Sequence, residues 1–286
     1  MQTIMIDGKK LATEKREELK KRVNHLLTPP HLDVIWVGDN PASAVYVRHK
    51  EQAGASVGIE VKVHHLSEST PELEILDLIE RLNQSAEVDG ILVQLPLPKH
   101  LTESNILEAI DPAKDVDGLT SFNLGHLLSG SPQMVPCTPQ ACMALIESVE
   151  PNLAGKLAVV VGRSRLVGKP LFQLLLAKHC TVLQAHSKTQ NLTSLTRMAD
   201  ILVVATGHAG LIGGADIKPG AIVIDVGISK MPDGSLQGDV KTEDAKGIAY
   251  AITPVPGGVG PMTVAMLLEN VVQAAERKQN PAPEDD

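Results

Sequence analysis

Tyr46 and Lys50 are the first residues whose types and spacing could do chemistry. They stand four positions apart in a segment with helical periodicity, so both side chains project from one face of one helix. A phenol beside an amine can act as an acid-base pair, but a surface lysine lying along a half-buried tyrosine explains the spacing equally well. Gln94 stands near the end of a predicted strand, where α/β proteins bind ligands or where it simply caps the strand.

Asp115 and Asp117 form a second candidate pair, followed directly by Gly118. Two carboxylates at this spacing could bind a metal or serve as paired acids. No His or Glu cluster completes a metal site, however, and Asp-x-Asp-Gly is ordinary turn chemistry. We therefore expect no metal. One of the two carboxylates could still anchor a ring that presents adjacent N–H donors.

A third feature is the turn that contains Gly162, Arg163, Ser164 and Gly168, between an aliphatic run and a helix-like segment. Such a strand-turn-helix predicts a dinucleotide site, because amides at a helix start face a pyrophosphate and the helix dipole favours its charge. The spacing departs from Gly-x-Gly-x-x-Gly, since Ser164 replaces the second glycine and Gly168 comes one residue late. Taken alone, the turn is a weak signal.

The residues after the next strand bear on which dinucleotide binds. The usual fingerprint places an acidic residue there to bind the ribose 2′-hydroxyl of NAD, but this chain has Ser187 and Lys188. Together with Arg163, these donors suit a 2′-phosphate, which predicts NADP as the cofactor. The alternative is a solvated loop in which the three residues only face water.

Composition limits the classes of protein that the chain can belong to. Its 286 residues fit two domains, and 43% hydrophobic but only 2% aromatic residues predict aliphatic cores of the kind that parallel strands build. A net charge of −8 argues against nucleic acid as a partner. The three cysteines, Cys137, Cys142 and Cys180, fit reduced buried thiols. No signal peptide or membrane span is recognised, so we expect a cytoplasmic protein without a membrane partner.

Hydrophobic periodicity predicts two series of elements. The first has strands at residues 32–37, 59–66 and 90–95 and helices at 8–27, 42–57, 71–84 and 102–110, before a connecting helix at 139–149. The second has strands at 157–161, 181–185, 201–205, 221–226 and 249–252. This alternation predicts two α/β domains, the second a Rossmann-like doubly wound parallel sheet with its ligand at the strand carboxyl ends.

Small residues follow two strands of the second series. Thr206 and Gly207 come after the third strand, and Gly227 with Ile228 after the fourth, where they could let a cofactor approach the backbone or could be ordinary turn residues. Residues 253–261 are so rich in Gly and Pro that we predict a constrained loop. A helix from residue 262 to about 278 and a disordered tail at 279–286 should follow.

Six motifs follow one another along the chain in a recognisable order. They are PASAVYVRHK at 41–50, DGILVQLPLP at 89–98, KDVDG at 114–118, PCTP at 136–139, VVGRS at 160–164 and ITPVPGGVGPMT at 252–263. On these motifs the chain resembles the bifunctional methylenetetrahydrofolate dehydrogenase/cyclohydrolase family, called FolD in bacteria, over residues 6–273.

The resemblance implies two reactions and a homodimer. NADP-dependent oxidation of 5,10-methylenetetrahydrofolate would give the 5,10-methenyl form, and hydrolysis would then give 10-formyltetrahydrofolate. Residues 1–140, completed by helix 262–278, would bind folate, residues 141–261 would bind NADP, and the active site would be a cleft between these domains. The open alternatives are a monofunctional cyclohydrolase, another two-domain NADP oxidoreductase and a folate-binding protein without catalysis.

The resemblance also implies roles for single residues. Lys50 would be the catalytic lysine, oriented by Tyr46 and Gln94, and Asp117 would grip the pterin edge. The further folate contacts would be Val93, Leu95, Pro256, Gly257, Gly258, Val259 and Gly260. The NADP contacts would be Gly162, Arg163, Ser164, Ser187 and Ile228, to which the turn and the strand ends add Gly168, Thr206 and Gly207.

Overall fold

The structure is a computed structural model that describes residues 2–280, apart from the side chain of Ala42. The strands are β1 (Ile4–Met5), β2 (His31–Val37), β3 (Glu60–Leu66), β4 (Gly90–Val93), β5 (Leu157–Val161), β6 (Thr181–Ala185), β7 (Ile201–Val204), β8 (Ile222–Asp225), β9 (Ser229–Lys230), β10 (Leu236–Gln237) and β11 (Ala251–Ile252). The α-helices are α1 (Gly8–Val23), α2 (Pro41–Val57), α3 (Glu72–Gln84), α4 (Glu103–Glu108), α5 (Ser121–Ser129), α6 (Cys137–Glu147), α7 (Gly168–Ala177), α8 (Leu192–Thr196), α9 (Thr242–Ala245) and α10 (Val259–Gln279).

The chain divides into two compact units. Residues up to Ala12 together with Thr138–Thr263 form one, here called the six-stranded unit. Residues Thr13–Cys137 and those from Val264 onward form the other, here called the three-stranded unit. The first residues belong to the six-stranded unit because β1 pairs with β11, a contact between distant parts of the chain that periodicity does not reveal.

The three-stranded unit contains a parallel sheet in the order β3-β2-β4. Since β3 and β4 lie on opposite sides of β2, the strand order reverses between β2 and β4, and an open α/β sheet binds ligands at the carboxyl ends beside such a reversal. β4 is buried along its whole length, and α3 packs Ile75 and Ile79 into the same aliphatic core. The carboxyl end of β4 is therefore a favoured place for a site.

The six-stranded unit contains a parallel sheet in the order β1-β11-β8-β7-β5-β6. Here the order reverses between β5 and β7, as in doubly wound nucleotide-binding sheets. β7 and β8 are buried on both faces and consist of Ile, Leu and Val with one terminal Asp, which is the composition that covered parallel strands require. The predicted fold class is confirmed by this topology.

Some element bounds differ from the prediction. α10 begins at Val259, three residues earlier than predicted, because Pro261 stands in the first turn, where an amide has no partner inside the helix. α1 ends at Val23 instead of residue 27, and tight turns follow in which the amides of His25 and Leu26 bond three residues back. The two-residue strands β1, β9 and β10 and the helices α5, α8 and α9 were not predicted.

The C-terminal helix also extends further than expected. α10 includes Gln279, whose side chain accepts a hydrogen bond from the Leu27 amide at 2.8 Å and donates to the Thr28 carbonyl at 3.2 Å. The predicted disorder is therefore wrong at this residue, and the prediction for residues 281–286 lies outside the described residues. Within residues 2–280, no helix combines the length and the apolar character that crossing a membrane requires.

Candidate functional site

Lys50 and Gln94 meet in the three-stranded unit. Lys50 lies on α2, and Gln94 comes directly after β4, where its amide still bonds to the Ile35 carbonyl of β2 at 2.8 Å. The Lys50 Nζ donates to Gln94 Oε1 at 2.9 Å. Gln94 Nε2 donates to the Leu95 carbonyl at 2.6 Å, which fixes the amide orientation so that its oxygen faces the lysine. The structure therefore brings two of the predicted residues into direct contact.

The surroundings of Lys50 favour loss of its proton. Burial lowers the pKa of the Lys50 amine, and the negative charge of Asp117 opposes that shift. Burial also raises the pKa of the Asp117 carboxyl, while the nearby Lys50 charge holds it down. The Lys50 amine and the Asp117 carboxyl group thus interact electrostatically in a partly buried place, where burial shifts the pKa of each group towards its neutral form.

The structure gives the two aspartates of the KDVDG motif different roles. Asp115 is 1% exposed, and its carboxylate accepts from the amides of Leu119 and Thr120 at 3.1 and 2.8 Å and from Asn123 Nδ2 at 2.8 Å. These bonds hold the turn into α5. Asp117 is left as the carboxylate that interacts with Lys50.

Cys137 is a neighbour of this cluster that was not predicted as a site residue. Its thiol donates to the Val116 carbonyl at 3.3 Å, and burial raises its pKa well above the ordinary value, so it is a neutral thiol. Asn270 on α10 donates to the carbonyls of Val116 and Val135 at 2.8 and 2.9 Å. The PCTP motif could have indicated Cys137, whereas no local pattern indicates Asn270.

Three other predicted folate residues lie close to Lys50 or Gln94 along the chain. Tyr46 lies one helical turn before Lys50 on α2, and its side chain is 42% exposed. Val93 is the last residue of β4 and is buried in the core, and Leu95 packs against the same core. Because their side chains are used in packing, Val93 and Leu95 could contact a ligand mainly through their main chains.

The predicted dinucleotide turn is compact because of two glycines. Gly162 has φ 137°, and a Cβ there would lie 2.3 Å from the Ala205 carbonyl oxygen. A Cβ on Gly168 would lie 2.1 Å from the Gly162 carbonyl oxygen, so only glycine lets α7 begin this close to the end of β5. The Ser164 hydroxyl accepts from the Val167 amide at 3.1 Å and shapes the turn before α7.

The residues predicted to select NADP follow neighbouring strands. β5 and β6 pair with Val161 opposite Ala185, so the turn with Arg163 and the segment with Ser187 begin side by side. Arg163, Ser187 and Lys188 are all exposed. The segment is a tight turn in which the His186 amide donates to Thr189 Oγ1 at 2.8 Å. Exposed cationic and hydroxyl groups beside a helix start fit a phosphorylated dinucleotide.

The remaining predicted residues also lie at the carboxyl edge of the six-stranded sheet. Thr206 and Gly207 follow β7, and Ile228, which is 50% exposed, follows β8. The loop with Pro256, Gly257, Gly258, Val259 and Gly260 follows β11, and α10 begins within it. The Gly257 carbonyl accepts from the Lys9 amide at 3.1 Å, and a Cβ on Gly8 would lie 1.9 Å from the Gly258 oxygen.

Comparisons with known proteins agree with both parts of this arrangement. Residues 6–117 match the family model of the tetrahydrofolate dehydrogenase/cyclohydrolase catalytic domain, and residues 136–279 match that of the NAD(P)-binding domain. The bifunctional protein FolD of Lactococcus lactis subsp. lactis is 51% identical over 279 residues, which cover 96% of this chain and 98% of that protein.

Solved structures give the same result. The bifunctional enzyme FolD, a methylenetetrahydrofolate dehydrogenase/cyclohydrolase from Campylobacter jejuni, superposes with a TM-score of 0.94 at 45% identity and covers 96% of this chain and 99% of its own. The Trypanosoma brucei methylenetetrahydrofolate dehydrogenase-cyclohydrolase, solved with NADP cofactor and an inhibitor, has a TM-score of 0.92 at 37% identity and covers 97% of this chain and 98% of its own. The chain therefore belongs to the tetrahydrofolate dehydrogenase/cyclohydrolase family.

Proposed function

We infer that this chain is a bifunctional folate enzyme. It oxidises 5,10-methylenetetrahydrofolate to the 5,10-methenyl form with NADP⁺ and then hydrolyses that product to 10-formyltetrahydrofolate. The observation that carries this inference is the Lys50 amine, which is hydrogen-bonded to Gln94 at 2.9 Å and interacts electrostatically with the partly buried Asp117. Family membership supplies the reaction class, and this cluster supplies the group that the hydrolytic step needs.

Hydrolysis requires that a proton leave the attacking water and that a proton reach the departing ring nitrogen. The Lys50 Nζ suits both transfers, because burial lowers its pKa towards neutrality and the cationic methenyl substrate would lower it further. Gln94 accepts one of the amine's hydrogen bonds and so orients Nζ. Tyr46, one helical turn away, is proposed to line the same folate site.

Asp117 is proposed to hold the pterin ring of the substrate. A carboxylate can accept two parallel N–H bonds from a ring edge, which fixes orientation as well as binding energy. Burial raises the pKa of Asp117, and the positive charge of Lys50 limits that rise, which helps to keep the accepting, ionised form available. The roles of Val93, Leu95 and the loop at residues 256–260 in folate binding stay predictions.

NADP is proposed to bind at the carboxyl edge of the six-stranded sheet. When bound, its nicotinamide accepts the hydride that leaves the one-carbon bridge. The residues proposed to hold it are Gly162, Arg163, Ser164, Gly168, Ser187, Thr206, Gly207 and Ile228. Arg163 and Ser187 would bind the 2′-phosphate, and the first amides of α7 would face the pyrophosphate. The protein's part in hydride transfer is alignment more than proton transfer.

A coupled assay tests the proposed function. The purified protein is mixed with 5,10-methylenetetrahydrofolate and either NADP⁺ or NAD⁺, and the reduced cofactor and the methenyl product are followed by their separate absorbances. We expect reduction with a clear preference for NADP⁺, followed by decay of the methenyl signal. Methenyl hydrolysis without cofactor reduction would instead identify a monofunctional cyclohydrolase. The absence of both reactions would refute the proposal.

Two further properties are proposed from the family resemblance. We propose that the protein forms a homodimer and acts in the cytoplasm. Sedimentation equilibrium of the full chain checks the first property, since a single species at the monomer mass at micromolar concentration would contradict it. Fractionation of cells that produce the protein checks the second.

A further inference from the structure

Two buried aspartates lie beneath the proposed cofactor edge and have no role in the mechanism above. Asp225 ends β8 and is 1% exposed, and Asp239 follows β10 and is fully buried. Both belong to the six-stranded unit. Burying two carboxylates is costly unless hydrogen bonds compensate for the lost water, so their donors show what they hold in place.

Asp225 binds the backbone at Asp239 and Val240. Its Oδ1 accepts from the amides of Gly227 and Asp239 at 3.0 and 2.9 Å, and its Oδ2 accepts from the Val240 amide at 2.9 Å. A Cβ on Gly238 would lie 1.9 Å from Asp225 Oδ2, so the chain wraps closely around this carboxylate. Asp225 therefore fixes the backbone from which the Asp239 side chain extends.

Asp239 in turn binds the segment that follows β7. One oxygen, Oδ2, accepts from the Thr206 amide at 2.6 Å, from the Thr206 hydroxyl at 2.9 Å and from the Gly207 amide at 3.0 Å. A Cβ on Gly227 would lie 2.2 Å from the Asp239 Cγ, so this carboxylate also packs against the segment that leads to Ile228. One side chain thus contacts both segments.

We propose that Asp239 is a positioning residue for the cofactor: it sets the backbone of Thr206 and Gly207, and with Asp225 it aligns that segment with Ile228. The inference rests on the proposed NADP site at these residues. Three donors converge on one carboxylate oxygen, and hydrogen bonds to a charged acceptor are among the stronger ones in proteins. Without Asp239 the two inward-facing amides lose their shared acceptor, and the segment takes other conformations.

The test replaces Asp239 by Ala and by Asn and measures three quantities. These are the KM and kcat for NADP⁺ in the dehydrogenase reaction, the rate of methenyl hydrolysis without cofactor, and the thermal unfolding midpoint. Asp239→Ala should raise the KM for NADP⁺ about tenfold or more, with methenyl hydrolysis within about twofold of the wild type. Asp239→Asn keeps one carbonyl acceptor and the side-chain volume, so its KM should lie between those of the wild type and the Ala variant.

Asp200→Asn is the matched control. Asp200 precedes β7 at the opposite edge of the same sheet, where it accepts from the Leu157 amide at 2.8 Å and from Lys218 Nζ at 2.5 Å. This variant should lower the unfolding midpoint without changing the KM for NADP⁺. The proposal is overturned if a folded Asp239 variant keeps the wild-type KM for NADP⁺, or if its methenyl hydrolysis falls by the same factor as that KM rises.

The Asn variant protects the test against a loss of folding. If Asp239→Ala does not fold, the KM of Asp239→Asn decides the question by itself, and a wild-type KM overturns the proposal. Failure of the proposed NADP site is a separate outcome. In that case the wild-type protein shows no saturable dependence on NADP⁺.

Discussion

Replacing Lys50 by Met would separate the two activities of this enzyme. Met keeps much of the side-chain length but removes the charge, the transferable proton and the hydrogen bond to Gln94. General acid-base catalysis by a positioned side chain contributes about 10²- to 10⁴-fold, so methenyl hydrolysis should fall by that factor. Hydride transfer needs alignment and no proton from Lys50, and it should fall by less than about tenfold.

The size of the effect on the remaining reaction follows from the contacts of Lys50. Loss of the hydrogen bond to Gln94 costs about 1 kcal/mol. If all of this free energy is lost from substrate binding, the affinity for substrate falls by a factor of about five. Without the Lys50 charge, the pKa of Asp117 should also rise further, because in the wild-type protein that charge lowers the pKa. Folate binding should therefore weaken more at low pH in the variant than in the wild type.

The assay follows reduced cofactor and methenyl decay separately, with Lys114→Met as the matched control. Lys114 is another partly buried lysine of the same unit whose pKa is lowered by burial, but its Nζ donates to the carbonyls of Leu82, Asn83 and Ser85. Its loss should reduce stability and leave the ratio of the two activities unchanged. Lys50→Arg should also lack hydrolysis, since a guanidinium holds its proton.

Two results would refute this reasoning. A Lys50→Met enzyme that opens the methenyl ring at nearly the wild-type rate would remove Lys50 from proton transfer. An equal loss of both activities, with an unfolding midpoint close to that of the wild type, would mean that Lys50 binds substrate instead of moving protons.

Three further perturbations test the six-stranded unit. Arg163→Ala should raise the KM for NADP⁺ about tenfold or more but the KM for NAD⁺ by less than threefold. The reason is that a lost charge-assisted hydrogen bond to the 2′-phosphate costs about 1.5–3 kcal/mol. An equal increase in both KM values would show that Arg163 does not bind this phosphate. Gly168→Ala should destabilise the protein by about 1–3 kcal/mol in urea unfolding and weaken NADP⁺ binding, since its Cβ would lie 2.1 Å from the Gly162 oxygen. Gly125→Ala, with open space around its Cβ, should cause neither effect. Burial raises the pKa of Asp225 from 3.8 to about 6, so the folded protein binds this proton more tightly than the unfolded chain does. The free energy of unfolding should therefore fall by up to about 3 kcal/mol as the pH rises from 4 through 6. Asp225→Asn should remove that part of the pH dependence, and an unchanged pH profile would contradict the assignment.

Local patterns predicted most of the elements in this fold. Strands β5 and β6 have the predicted bounds, because their aliphatic runs are short and end abruptly at polar or turn residues. The two-residue β1 could not be predicted in this way, since its strand conformation depends on pairing with β11 about 250 residues further along the chain. The start of α10 was placed too late because Pro261 looks like a helix breaker in sequence, although the first turn tolerates it.

The candidate site was predictable only in part for the same reason. The family resemblance predicted Lys50, Gln94 and Asp117 as site residues, but two equivalent aspartates in the KDVDG motif gave no physical ground for separating Asp115 from Asp117. The separation comes from the hydrogen bonds that Asp115 accepts from the amides of Leu119 and Thr120 and from the electrostatic interaction of Asp117 with Lys50. Such contacts join residues that are far apart in the sequence or lie in irregular turns.

By itself, the sequence of this protein determined the family, the alternation of strands and helices, and the residue types available for proton transfer and phosphate binding. These properties depend on local order along the chain, which periodicity and motifs record. The tertiary structure alone decided that Lys50 bonds to Gln94, 44 residues away, and that Asp239 holds Thr206, 33 residues away. Burial and long-range contacts set the pKa values and loop positions on which the chemistry depends, and they exist only once the chain has folded.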